Sequence, residues 1–154
     1  MFIRKDIDMR LEVLIGFPAS GKSTYSKAQE KNGVVVFSSD AIRKELYGDE
    51  DIQGNAQDVF GLLNQRLVSL LSIGKQNAIV DATNMSIKAR KKYIHLAKRY
   101  RYEVVAKWFT TPLDVCLERN SKRDRVVPKF VFERMKNNFQ EPTLDEGFDK
   151  IEVV

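Results

Sequence analysis

Apolar positions along the chain fall into two alternating patterns. Short unbroken apolar runs of strand length occur at Arg10–Gly16, Val34–Ser38, Ala78–Val80 and Glu103–Thr110. The stretches between them carry apolar residues at helical spacing. Lys22–Lys31 reads as a helix, and so does Asp40–Tyr47, with Ser39 able to cap it. In Ala56–Ile73, Val59, Leu62, Leu63, Leu67, Leu70 and Leu71 line one side, and Gly74 supplies the stop. Ser86 caps a basic helix at Ile87–Arg99, Thr111-Pro112 opens one at Leu113–Asn120, and Pro128 opens another through Asn138. Phe148–Val154 alternates apolar and polar residues and reads as a last strand. Strands alternating with helices predict an α/β fold with a mostly parallel central sheet, organised as a single domain over 1–154.

The first strand runs into Gly16-Phe17-Pro18-Ala19-Ser20-Gly21-Lys22-Ser23, a full match to G-x-x-x-x-G-K-[ST] between a strand and a helix. A random chain of this length produces that match on the order of once in a hundred or less. Gly16 and Gly21 let the backbone approach a phosphate without a Cβ in the way. The loop from Pro18 to Gly21, through the N–H groups of Ala19, Ser20 and Gly21, and the start of the helix (Lys22, Ser23, Thr24) then surround the anion, because helix N-termini carry free N–H groups and positive potential. Lys22 offers a point charge to the β- and γ-phosphates, and Ser23 a hydroxyl oxygen to Mg²⁺. The expectation is a three-layer P-loop NTPase/kinase fold that binds ATP and Mg²⁺.

Composition adds exclusions. There is one cysteine, Cys116, and one histidine, His95, so an intrachain disulfide and a Cys/His metal cluster are ruled out. No apolar run reaches the ~20 residues of a membrane span. Met1–Arg10 lacks the apolar core of a signal peptide, so a cytoplasmic protein is expected. The formal charge is +5, and its distribution is uneven. Residues 87–101 hold seven basic residues and no acid; residues 45–58 hold five acids and no base. Such segregation suits a polyanionic partner on one face, and equally a solvated basic helix.

Among P-loop proteins, a GTPase needs N-K-x-D, which is absent, and a motor usually ends a strand in Asp-Glu, where this chain has only Asp81. A kinase is favoured, since a single acid can accept the substrate proton. Asp40 and Asp81 both follow strands, so both should open at the carboxyl edge of the sheet where ligands collect. Arg43 lies one helical turn after Asp40. Acid and arginine together suit a hydroxyl on a phosphorylated substrate, although Asp40 could instead be a helix cap. Arg119 and Arg123 are four apart and would share a face if the helix persists; a lid over the triphosphate and a solvated loop both fit.

The motifs G-F-P-A-S-G-K-S-T at 16–24, S-S-D-A-I-R at 38–43, D-A-T-N at 81–84 and R-N-S-K-R-D-R-V-V-P at 119–128 resemble, in order, those of the 5′-hydroxyl polynucleotide kinases of phage and bacterial RNA repair. The resemblance implies Asp40 as general base, Arg43 on the phosphate beside the acceptor nucleoside, and Lys22 and Ser23 on ATP and magnesium. It further implies a small helical lid at about 119–138, with Arg123 and Arg119 at the donor phosphates. Asp81, Thr83 and Asn84 would line the acceptor side. The acceptor would be a nucleic-acid 5′-OH end in a bacterial or phage-infected cell. A small-molecule hydroxyl kinase and a non-kinase ATP-binding module stay open. The chain departs from the phage enzymes in lacking a D-x-D-G/T phosphatase signature. Its lid is one residue short before Val127-Pro128, with Asp124 where glycine is common, and this leaves Arg125 without an assigned role.

Overall fold

A computed structural model describes residues 9–50 and 52–154 of the chain; the readings that involve Met1–Asp8 and Asp51 lie outside the described residues. Five strands form one parallel sheet, β1 (Arg10–Ile15), β2 (Val35–Ser38), β3 (Ala78–Asp81), β4 (Glu103–Trp108) and β5 (Lys150–Val153), in the order β2-β3-β1-β4-β5. Six helices connect them: α1 (Lys22–Glu30), α2 (Ser39–Tyr47), α3 (Ala56–Ile73), α4 (Ile87–Arg99), α5 (Leu113–Ser121) and α6 (Lys129–Asn138). The sequence-predicted α/β fold with a parallel sheet is the observed one. β1, β2 and β4 are one or two residues shorter than expected, β3 extends one residue further to Asp81, and β5 begins at Lys150 rather than Phe148.

The apolar strand runs are continuous because both sheet faces are covered by helices. Leu11, Val13 and Ile15 of β1 enter the larger core, with Val59, Leu63, Leu67 and Leu71 of α3 and Tyr93, Ile94 and Ala97 of α4. Leu14 of β1 and Ile79 of β3 face the other way, toward Tyr25 of α1. The repeat of every fourth residue along α3 keeps one stripe on the sheet, which is why its bounds were legible. On the α1 side of β1, β4 and β5 the outward positions carry charge. Lys107 bonds Glu152 at 2.9 Å and lies 3.3 Å from Glu12, while Arg10 reaches Glu152 at 2.7 Å and Glu103 at 3.3 Å. Cross-strand pairing of this kind neutralises Glu12, the one acid inside the β1 run.

Two features place the functional edge. β1 sits between β3 and β4, so the strand order switches direction there and opens a crevice at the carboxyl ends. β2 and β3 are in register with Ser38 opposite Asp81, which brings the start of α2 beside the end of β3.

The seven-residue basic segment is divided by packing. Arg90 points inward, 0% exposed, and grips Glu146 with Nε–Oε1 at 2.8 Å and Nη2–Oε2 at 3.0 Å. Its Nη1 also donates to the Asn84 carbonyl at 3.0 Å. Lys92 is half-buried over the Phe60 ring. Lys88, Lys91, Lys98, Arg99 and Arg101 are exposed. His95 is likewise exposed, Trp108 is half-buried and packs on Phe139, and Cys116 is buried. Among the described residues, no helix is long and apolar enough to cross a membrane.

Candidate active site

The turn after β1 is tied down on several sides. The Gly16 amide donates to the Thr83 carbonyl at 3.1 Å, and the Thr111 hydroxyl donates to the Ser20 carbonyl at 2.9 Å. A Cβ on Gly16 would stand 2.7 Å from Ser20 Oγ and 3.1 Å from Phe109 Cβ, so only glycine fits. Ala19 and Gly21 take positive φ, 63° and 109°, which curls the loop over the end of α1. No side chain caps α1, which leaves its first N–H groups available to an anion. Pro18, Ala19 and Gly21 are half-buried, Ser20 is buried, and Ser23 and Thr24 are exposed on the first turn.

Lys22 folds back over this loop and donates from Nζ to the carbonyls of Gly16, at 2.9 Å, and Phe17, at 2.8 Å. It is 7% exposed. Burial pushes its pKa down to about 8, against the pull of Asp81 and Asp40 and with a further push from Arg123. These effects place both acids and Arg123 in the electrostatic neighbourhood of the lysine. Burial in turn pushes the Asp81 carboxyl up, and Lys22 and a hydrogen bond from Ser26 Oγ, at 3.1 Å, hold it back.

Asp40 stands in the first turn of α2. The cap of that helix is Ser38, whose Oγ accepts from the Ala41 amide at 3.2 Å, rather than Ser39 or Asp40. The Asp40 carboxylate is therefore not spent on its own helix. Its Oδ1 accepts from Arg43 Nη1 at 2.9 Å, the one-turn pairing the sequence predicts. Its Oδ2 accepts from Arg125 Nη1 at 3.1 Å, a partner that sequence spacing does not reveal.

The segment expected to form a lid is not one continuous helix. α5 stops at Ser121, so Arg119 and Arg123 do not share a helical face. Arg119 is exposed on the last turn, without a side-chain hydrogen bond among the described residues. Asn120, 4% exposed, organises the loop: its Nδ2 donates to the Val127 carbonyl at 2.8 Å, and its Oδ1 accepts from the Val127 amide at 2.9 Å and from Arg123 Nη2 at 3.1 Å. That reciprocal pair closes residues 120–127 into a compact turn displaying Arg123 and Arg125. Asn120 lies inside the R-N-S-K-R run, but nothing in the spacing distinguishes a buried asparagine from an exposed one.

Residues 81–84 divide as well. Asp81 reaches the site, and Thr83 holds Gly16 through its backbone. Asn84 does not line an acceptor surface. It is buried, takes φ 47°, and donates from Nδ2 to the Leu14 carbonyl at 2.8 Å, fastening β3 to β1. Asparagine tolerates that left-handed backbone better than most residues. Among the aromatic side chains, Phe17 stacks on Phe132, the Tyr47 hydroxyl accepts from the Asn55 amide, and Phe130 is exposed.

Comparison with known proteins agrees with this geometry. A family model described as an AAA domain matches residues 11–142. The bifunctional polynucleotide phosphatase/kinase of Schizosaccharomyces pombe is 24% identical over 98% of this chain and 35% of its own length. The L-seryl-tRNA(Sec) kinase of Methanococcus maripaludis is 30% identical over 90% of this chain and 56% of its own length. The chain thus spans about a third to a little over half of these curated relatives. The Pnkp1/Rnl/Hen1 complex contains a chain that superposes with a TM-score of 0.66 at 23% identity, over 96% of this chain and 46% of that one. With a glycine-bounded phosphate loop at the switch point of a parallel sheet and kinases among its relatives, the chain belongs to the AAA domain family and has a P-loop kinase fold.

Proposed function

We propose that this domain transfers the γ-phosphate of ATP to the 5′-hydroxyl of a nucleic acid. The observation that carries the reading is Asp40: an acid released from helix capping, flanked by arginine, and near enough to Lys22 to affect its charge. An acid–arginine pair beside a phosphate loop suits an acceptor whose hydroxyl neighbours a phosphate. In this reading residues 16–24 and Lys22 hold the triphosphate, and Arg123, with Arg119 nearby, meets the donor phosphates. Asp40 takes the proton of the acceptor hydroxyl while Arg43 holds the adjacent phosphate. The hydroxyl oxygen bonds to the γ-phosphorus, the bond to the β–γ bridging oxygen breaks, and ADP leaves.

Magnesium suits the donor set. The Ser23 hydroxyl is exposed on the first turn of α1 and the Asp81 carboxylate lies on the same edge, both hard oxygen ligands. When bound, the ion offsets charge on the β- and γ-phosphates. Ser23 would be a direct ligand, and Asp81 would orient its bound water or the acceptor.

A second reading, transfer to a hydroxyl on a small molecule or on an aminoacyl group, draws on the seryl-tRNA kinase relative. The test is transfer from γ-labelled ATP to 5′-OH DNA, 5′-OH RNA and a panel of small alcohols, with acceptor affinity followed against salt. A polynucleotide acceptor releases counterions when bound, so its apparent affinity should fall steeply as salt rises. Transfer confined to small alcohols, with a flat salt response, would favour the second reading.

A further inference from the structure

Two helices lead away from the functional edge side by side. The strands are parallel, so α3 runs back from the carboxyl edge to the start of β3, and α4 from the end of β3 to the start of β4. Between them lies an open groove of about 490 Å³. Asn64, Gln65 and Ser69 of α3 line one side, Lys92 and His95 of α4 the other, and Val68 and Leu96 make part of it apolar. The groove joins the active site at Phe60. The Arg43 guanidinium, which pairs with Asp40, lies 5.9 Å from the centre of that ring, and the Lys92 ammonium lies 5.1 Å from it.

Beyond Asp58 in the first turn of α3, charge here has one sign. From Val59 to Tyr102 the single acid is Asp81, which is engaged at the end of β3. Lys88, Lys92, His95 and Arg99 follow one another at steps of four, three and four residues, which sets them in one stripe along α4. The polar side chains of the groove are not used up by the protein. Among the described residues, Asn64, Gln65, Lys92 and His95 make no side-chain hydrogen bond or ion pair, whereas the neighbouring Arg66 is held by Glu45. Lys92 is half-buried, and burial pushes its ammonium pKa down with no carboxylate to offset it. A cation withdrawn from water gains most from a neighbouring anion.

We propose that the groove between α3 and α4 carries the acceptor strand away from the active site, binding the phosphodiester backbone of nucleotides beyond the reacting end. Lys92 and its stripe meet successive phosphates, Asn64 and Gln65 offer amide groups to phosphate or sugar, and Val68 and Leu96 contact bases. Charges and apolar surface bind a strand without reading its sequence. From Phe60 to Ser69 α3 rises about 14 Å, the length of about four nucleotides at about 3.4 Å each. The inference rests on the polynucleotide-kinase reading and extends it from a reacting end to a length of strand.

The test is transfer by the full chain from ATP to 5′-OH oligonucleotides of two to ten nucleotides, with a nucleoside 3′-monophosphate as the shortest acceptor. KM is measured for ATP and for acceptor at several salt concentrations. The wild-type acceptor KM should fall as the strand grows to about six nucleotides and then level off. Lys92→Gln, and separately Lys88→Gln combined with Arg99→Gln on the exposed part of the stripe, should each raise the KM of the longer acceptors about five- to tenfold. Each lost contact should also lower the slope of log KM against log salt by about 0.7. KM for the mononucleotide and for ATP should change by less than about twofold. Lys27→Gln, exposed on α1 at the other face of the sheet, should behave as wild type throughout. Thermal melting checks the half-buried Lys92 variant, and the exposed double variant tests the groove without disturbing packing. A double variant with wild-type length dependence and salt slope places the strand elsewhere and overturns the inference, whether the stripe is solvated or meets an acidic protein. A wild-type KM already flat from the mononucleotide onward, or an equal rise for mononucleotide and long acceptors in the variants, overturns it too. Wild type that transfers to small alcohols and to no oligonucleotide would instead remove the polynucleotide reading itself, a result distinct from these.

Discussion

Raising the pH from about 7 to about 9 should weaken nucleotide binding roughly tenfold, through the charge of Lys22 alone. The side chain is buried against the loop carbonyls, and burial lowers its pKa to about 8 in the unliganded protein. A triphosphate brings negative charge to the ammonium, which raises the lysine pKa in the complex. The sign follows from linkage. The proton is bound in both states below about pH 8, so affinity is level there; above it, the free protein has lost the proton that the complex needs. Affinity then falls by about tenfold per pH unit, so one unit past the midpoint costs about 1.4 kcal/mol. Titration calorimetry with a non-hydrolysable ATP analogue, in buffers of different ionisation enthalpy, reads both the affinity and the proton taken up on binding. Lys22→Arg should flatten the profile, because a guanidinium does not titrate in this range. Wild-type affinity that stays constant across the interval, or an equal decline in Lys22→Arg, would refute the assignment of the shift to Lys22.

The two acids and the buried ion pair offer independent checks. Asp40→Asn preserves shape but removes the basic oxygen, so turnover should fall ~10²–10⁴-fold with ATP affinity nearly unchanged. Asp81→Asn should cost clearly less in turnover and show itself as weaker magnesium or acceptor affinity; a dead Asp81→Asn beside an active Asp40→Asn would reverse the roles. Glu146→Ala should lower unfolding free energy by about 3–5 kcal/mol, because it strands the buried Arg90 charge, whereas replacing both partners with apolar residues should cost far less. Denaturant melts of the single and double variants decide this, and equal losses in the two would show that packing rather than charge is at stake.

Local information was enough for the elements and for the phosphate loop. Periodicity reports which side of a segment faces apolar surroundings, so α3 and α4 were bounded to the residue, and β1 and β3 to within one, in advance. The loop from Gly16 to Ser23 was legible because its chemistry is contiguous: strand, turn and helix follow one another, and each fixed position answers to its immediate neighbours. The order of the strands, by contrast, depends on which runs pack together. That order sets Ser38 beside Asp81 and gathers both acids near Lys22. Helical spacing likewise counted Arg90 with the surface lysines, since a charge pattern does not record that Glu146, 56 residues on, waits inside to neutralise it. Asn84, which the resemblance placed on the acceptor side, and Asn120, read as the end of a helix, are buried ties because backbone groups of β1 and of residue 127 were left for them to satisfy. The contact between Arg125 and Asp40 joins positions 85 residues apart. No local propensity links such distant residues, and only the packing of the loop between α5 and α6 against the start of α2 brings them within a hydrogen bond of each other.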